Sequence, residues 1–451
     1  MKRVAFSLFL LILMVAAAAM GAEPGAAGEE AHGGGHAGIS GFLFAIVLVL
    51  LAAKVGGEIF ERLNQPAVLG ELVFGMLLGN LHLVGFHALD WFKTSEGLAV
   101  AAEIGVILLL FEVGLESNID ELLAVGASAM LVAMLGVIAP MILGYGVSAW
   151  FLPDAAWYVH LFAGATLAAT SVGITARVLK DLRQMETKEA RIILGAAVVD
   201  DVLGLIILAV VSGLISSVGH GGGAEISLMP VLLIIGKSVA FLAGAVLLGR
   251  ALAGKIIYIG ASAKVAGLPV VLSVCYCFVL AGLAEVVGLA PIVGAFAAGL
   301  VLDEAHYERY ASRKAVNFEE LISPISSVLV PVFFVLMGFR VDLASFGQWH
   351  VLEFAAGLSI AAIIGKQICS LGVLEKGLNR LAVGVGMIPR GEVGLIFAGM
   401  GSTLMVGGKP VFGADTFSAM VVMVMVTTVA TPPLLKAIFS RPKGTAGPLA
   451  A

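Results

Sequence analysis

Arg191-Ile-Ile-Leu-Gly-Ala-Ala-Val-Val-Asp200-Asp201-Val-Leu-Gly-Leu-Ile-Ile-Leu-Ala-Val-Val211 is an apolar run long enough to cross a bilayer, with two adjacent carboxylates in its middle. Each Asp at the centre of a membrane helix costs about 2.5–3.5 kcal/mol on insertion scales. Nothing apolar nearby offsets that cost. An ionisable pair at mid-membrane therefore marks a functional site, and another part of the chain should supply its partner.

The rest of the chain agrees with a membrane reading. It has 451 residues, of which 60% are hydrophobic and 13% charged, whereas a soluble domain carries roughly 25% charged residues. Only a polytopic all-α membrane protein fits, in contact with the lipid bilayer. The net charge of −5 argues against a nucleic-acid partner. Cys275, Cys277 and Cys369 all fall in apolar runs. On a helix the thiols of Cys275 and Cys277 point about 200° apart, so they read as small apolar filler and not as a metal site or disulfide.

Lys2-Arg3, the apolar run from Phe6 to Met20 and the small residues up to Ala22 read as a signal peptide over 1–22, with an uncleaved extra span as the alternative. Residues 23–39 read as a flexible periplasmic segment, with His32 and His36 as solvated linker residues. Hydropathy then predicts thirteen spans: 40–61, 66–84, 97–115, 121–151, 157–179, 190–215, 229–252, 266–287, 290–303, 321–340, 350–372, 379–401 and 414–437. Residues 40–437 form one membrane domain, followed by a tail at 438–451. Seventeen Lys and Arg fall on one side of this arrangement, and only Lys93, Arg340 and Lys409 on the other. The positive-inside rule places the mature N-terminus outside and the C-terminus in the cytoplasm. The expected location is a bacterial inner membrane.

An internal repeat is visible. Pro66-Ala-Val-Leu-Gly70 through Gly75 matches Pro291-Ile-Val-Gly294 through Gly299, and Leu110-Phe111 to Gly114 matches Phe333 to Gly338. Pairing span n with span n+7 gives two six-helix halves joined by span 7. The odd offset makes the halves run in opposite senses, as in secondary transporters whose site lies at mid-membrane.

Counting from the cytoplasmic charges at 1.5 Å per residue, Asp200, Lys366, Arg390 and Ser171 all lie roughly 14–18 Å deep, near the midplane of a core about 30 Å thick. Two equivalent spans look interrupted. Span 5 carries Ala165-Thr-Leu-Ala-Ala-Thr170-Ser171-Val-Gly173-Ile-Thr175, and span 12 carries Gly386-Met-Ile-Pro389-Arg390-Gly391-Glu392-Val-Gly394. Pro389 removes a helix hydrogen bond and Gly391 loosens the turn. Freed carbonyls and hydroxyls suit a hard cation such as Na+. A plain packing kink is an equal reading for span 5 alone.

Taken together, Pro66…Gly70-Glu71…Gly75, Leu109-Leu-Phe…Gly114-Leu, Ala169-Thr-Ser-Val-Gly-Ile-Thr-Ala-Arg-Val-Leu, Val199-Asp-Asp-Val, Gly365-Lys366 and Pro389-Arg-Gly-Glu-Val-Gly resemble the bacterial sodium/proton exchanger family, in its electrogenic Asp-Asp branch. The resemblance covers about residues 40–437. It implies a thirteen-helix fold with spans 1–3 and 8–10 as a dimerisation domain, span 7 as a linker, spans 4–6 and 11–13 as a mobile core, and a homodimer. It implies that Asp201 binds the transported cation, that Asp200 pairs with Lys366, and that Thr170 and Ser171 lie beside them. Arg390 and Glu392 would neutralise helix ends. No cofactor and no enzymatic chemistry are implied, only transported Na+ or Li+ exchanged for H+ by alternating access.

The physics of the residues supports these roles. Neighbours on a helix point about 100° apart, so one Asp can face Lys366 while the other faces a water-filled cavity. H+ and Na+ compete for such a carboxylate. Competition suffices for exchange when only loaded forms cross. Glu71 sits at a motif position, functional or packing; Glu103 and Glu112 read as cavity or pair partners, and Lys54 as a snorkelling residue.

Three rivals remain. A K+/H+ antiporter or K+ efflux system would share the superfamily; such systems often carry a C-terminal nucleotide-binding domain, and no βαβ tail follows the last span. An intramembrane aspartyl protease needs two carboxylates facing one another, whereas adjacent residues on one helix diverge. A channel would lack saturating, proton-coupled flux.

Overall fold

The computed structural model describes residues 36–63, 65–116, 126–185, 187–219, 265, 267–302 and 318–439, with scattered positions between 236 and 249. The expected signal peptide, most of span 7 and nearly all of the C-terminal tail lie outside the described residues.

The described chain is helical throughout, apart from one small hairpin. In order, the helices are α1 (His36–Arg62), α2 (Ala67–Gly79), α3 (Glu96–Glu116), α4 (Ala127–Phe151), α5 (Trp157–Ala168), α6 (Val172–Asp181), α7 (Lys188–Gly219), α8 (Leu268–Val287), α9 (Pro291–Val301), α10 (Phe318–Arg340), α11 (Trp349–Ile368), α12 (Arg380–Gly386), α13 (Gly391–Thr403) and α14 (Ala414–Phe439). Among the described residues, eight helices are long and apolar enough to cross a membrane. In a bilayer every backbone group must be satisfied within the protein, which is why an apolar chain of this kind folds as helices.

The chain divides into two compact units. The first comprises Met1–Ile119 and Ser212–Gln348, the second Asp120–Val211 and Trp349–Ala451. In the first unit α2 packs on α1 and α10, and α9 packs on α3 and α8. These contacts are so close that only glycine fits. A Cβ on Gly70 would lie 2.0 Å from the Gly56 carbonyl oxygen, and one on Gly294 would lie 2.1 Å from that of Leu280. Gly75 likewise abuts Val335 and Gly299 abuts Phe111, while Gly338 abuts Leu72 and Gly114 abuts Phe296. Every pair maps onto its equivalent by one shift of 224 residues (294 minus 70, 338 minus 114). The first unit is thus built twice from a single backbone-to-backbone contact pattern. Asn80 closes its end. The Asn80 amide nitrogen donates to the carbonyls of Met76 at 2.8 Å and Val341 at 2.7 Å, and its side-chain oxygen accepts from the Leu343 N–H at 3.0 Å.

In the second unit α4 packs on α5 and α11, and α14 packs on α11 and α13. Ala129 and Ala133 of α4 and Ala190, Ala196 and Ala197 of α7 belong to one buried apolar cluster. After α13 the chain forms an antiparallel hairpin, β1 (Met405–Val406) against β2 (Lys409–Pro410). Gly407 and Gly408 between them have φ of +58° and +80°, the turn whose twist suits a two-residue hairpin. The hairpin falls between the predicted spans 379–401 and 414–437, and two-residue strands are too short to show alternation.

Candidate functional site

Two helices in the second unit break off inside the protein. α5 ends at Ala168, Ala169 turns extended at φ −58° and ψ 145°, and α6 begins at Val172. No proline or glycine stands at the break, which is filled by Ala169, Thr170 and Ser171. α12 ends at Gly386 and α13 begins at Gly391. There Pro389 has no N–H to continue the ladder and pushes Ile388 away from helical geometry.

The breaks meet backbone to backbone. The Ser171 N–H donates to the Pro389 carbonyl at 2.8 Å. Gly391 has φ +39°, and a Cβ there would lie 2.6 Å from both the Cβ and Oγ of Ser171. Only glycine allows that approach.

Charges gather around this crossing. Asp200 of α7 and Lys366 of α11 are 1% and 0% exposed, and the Lys366 Nζ donates to both Asp200 oxygens, at 3.2 and 3.3 Å. Gly136 of α4 makes room for the ammonium, since a Cβ there would lie 3.3 Å from Nζ. Asp201, one residue on, is only partly buried. The roughly 100° turn between them thus gives one carboxylate to the lysine and leaves the other in a less enclosed position. Arg390 is the largest fully buried side chain described. Its Nη1 donates to the carbonyls of Ile388 at 2.6 Å and Met387 at 3.3 Å, and its Nη2 to that of Ala362 at 3.1 Å. A cation at these carbonyls balances the negative end of α12. Asp200 is also within its electrostatic reach.

Thr170 and Ser171 are both buried. The Thr170 hydroxyl lies near the Asp200 carboxylate, yet it has no partner in hydrogen-bonding geometry. Glu392 is the second residue of α13, and its side chain lies outside the described residues. Glu71 belongs to α2 of the first unit, where it is buried with Lys54 as its charged neighbour. Lys54 itself is exposed, and so is Glu103 on α3.

Two hydroxyls that the sequence reading gave no role also bind the crossing. The Thr175 hydroxyl donates to the Gly386 carbonyl at 2.6 Å, and the Thr428 Oγ1 accepts from the Gly391 N–H at 3.1 Å. Thr175 stands in the quoted motif; Thr428 has only the nearby Pro432-Pro433 to draw notice.

A buried Asp–Lys pair beside two broken helices crossing within an apolar bundle defines a membrane transport protein, not an enzyme. The family model described as "Sodium/hydrogen exchanger, transmembrane" matches residues 43–440, and the chain belongs to that family. It is 38% identical to the high-affinity Na+/H+ antiporter NhaS3 of Synechocystis sp., over 90% of this chain and 91% of that protein. It is 35% identical to the Na+/H+-K+ antiporter GerN of Bacillus cereus, over 88% of this chain and 96% of that protein. The solved structure of the sodium proton antiporter MjNhaP1 from Methanocaldococcus jannaschii shares the fold, with a TM-score of 0.68 over 89% of this chain and 97% of that one at 17% identity.

Proposed function

We propose that sodium/proton exchange in this protein proceeds at Asp201, with the Asp200–Lys366 pair as the coupled proton site. The observation that carries the reading is the open end of α5. α5 gives way to an extended residue, Ala169, and the Thr170 hydroxyl beside it is buried near the Asp200 carboxylate, without a partner in hydrogen-bonding geometry. The negative end of a helix and a hydroxyl oxygen near the Asp200 carboxylate suit a hard monovalent cation.

A proton on Asp201 and a cation at Asp201 exclude each other. An arriving Na+ draws Asp200 toward it and away from Lys366. An ammonium left without a counter-ion in that buried position gives up its proton. Two protons then leave for one cation, and exchange is electrogenic. The wider frame of the proposal is thirteen spans in two inverted six-helix halves, with a cleaved signal peptide, the mature N-terminus outside and the C-terminus cytoplasmic. The second unit acts as the mobile core, and the first as the dimerisation domain of a homodimer.

K+ as a second cargo is favoured by one observation, the 35% identity to a relative named as a Na+/H+-K+ antiporter. Cation-induced dequenching of a pH-sensitive dye in proteoliposomes, across Na+, Li+ and K+, separates the readings. Asp201→Asn is expected to abolish the Na+ signal; wild-type flux in that variant would move the site elsewhere. A rate indifferent to a potassium/valinomycin potential would reject the two-proton stoichiometry.

A further inference from the structure

Helix α14 carries three consecutive-turn hydroxyls, Thr427, Thr428 and Thr431, all buried. Two are used within their own helix: Thr427 donates to the Met423 carbonyl at 2.9 Å and Thr431 to that of Thr427 at 2.8 Å. This back-bonding is what helical threonines ordinarily do. Thr428 reaches out of α14 instead. Its Oγ1 accepts the first N–H of α13, from Gly391. Gly391 is pressed against Ser171, and Ser171 is tied in turn to Pro389. A side chain that fixes the Gly391 nitrogen therefore fixes the crossing and, through Ser171, the placement of its neighbour Thr170.

The turn that holds Thr428 is unusual. Pro432 and Pro433 lie inside α14. Neither has an N–H, so the carbonyls of Thr428 and Val429 lose their normal helix donors and the turn is loosened. The crossing is thus fastened to a pliable part of α14.

We propose that Thr428 is a positioning residue for cation exchange: its hydroxyl holds the broken helices in the register that presents Thr170 to the ion. The inference rests on the cation site described above. The test uses the full-length protein in proteoliposomes, with Thr428→Val, Thr428→Ala and Thr428→Ser. Removing the hydroxyl in the Val or Ala variant is expected to raise the apparent KM for Na+ about tenfold, the equivalent of one lost hydrogen bond. Serine, which restores the acceptor oxygen, should return KM to within about twofold of wild type. Hydrogen exchange of the segment around residues 387–397 should quicken in Val and Ala and return to normal in Ser.

A KM unchanged in both Val and Ala, whatever their melting temperatures, would overturn the proposal and leave Thr428 as a helix cap only. Should Val not fold, Ala is read by the same criterion. Failure of the underlying site reading looks different: Asp201→Asn would keep its flux while the Thr428 variants still changed hydrogen exchange around Gly391.

Discussion

The two helix breaks meet in the second unit, yet their chemistry differs. At the α12/α13 break four main-chain groups are met by side chains. Arg390 takes the carbonyls of Met387 and Ile388, Thr175 takes that of Gly386, and Thr428 takes the Gly391 N–H. At the α5/α6 break, Ala169 turns extended and Thr170 has a buried hydroxyl that no donor or acceptor meets in hydrogen-bonding geometry. One break is saturated by a resident cation, the guanidinium of Arg390. At the other, the described residues place no guanidinium at the end of α5. A fold with related halves can hold a permanent positive charge at one break and leave the matching place to a mobile one.

This comparison can be broken most severely at the charge pair between the breaks. Lys366→Ala leaves Asp200 uncompensated at 1% exposure, which costs about 3–5 kcal/mol by analogy with other broken buried pairs. Asp200→Asn in the same background should recover part of the loss. Melting shifts in detergent that simply add in the double variant would show that the two residues do not share one interaction.

A smaller effect is expected at the saturated break. Arg390→Met should cost about 3 kcal/mol, because the carbonyls it serves are left buried without donors. If that variant melts like wild type, α12 is held by something other than the guanidinium, and the contrast with α5 disappears.

The mildest change in stability belongs to the open break. Thr170→Val removes a hydroxyl that lies near Asp200 but outside hydrogen-bonding geometry, so folding should change by no more than about 1 kcal/mol. Sodium affinity should nonetheless fall several-fold. This opposition of stability and affinity is the sharpest sign that the hydroxyl serves a ligand. A Thr170→Val protein that lost stability and kept its KM would mean that the two breaks are alike.

The charged part of this arrangement was legible because each residue violates its surroundings. Asp200, Lys366 and Arg390 stand in apolar runs, and Pro389 interrupts a helix that hydropathy alone would continue. The Gly-rich repeat was legible because backbone contact at 2.0–2.3 Å from a would-be Cβ leaves no other residue type available at Gly70, Gly114 or Gly338. The hydroxyl chemistry was not legible. Thr427 and Thr428 are neighbours of one type on one helix, and only side-chain direction distinguishes the one that bonds its own turn from the one that crosses to α13. Nor does anything in the letters around Ala169 separate a packing kink from a full break, since neither proline nor glycine marks it and the Ser171 N–H turns instead to the distant Pro389 carbonyl. The reach of Arg390 to Ala362, on a helix twenty-eight positions earlier, is likewise a fact of packing.

The link from the Ser171 N–H to the Pro389 carbonyl joins one main chain to another. Ordinary mutagenesis swaps side chains, so an alanine scan passes over this bond without detecting it; replacing the amide of residue 171 by an ester is the chemical change that would delete it. Heritable variation is under the same restriction. Substitutions at Thr170, Asp201 or Thr428 can retune what the site accepts over generations, while this main-chain bond persists through any change at residue 171 that keeps its N–H and spares the close packing at Gly391.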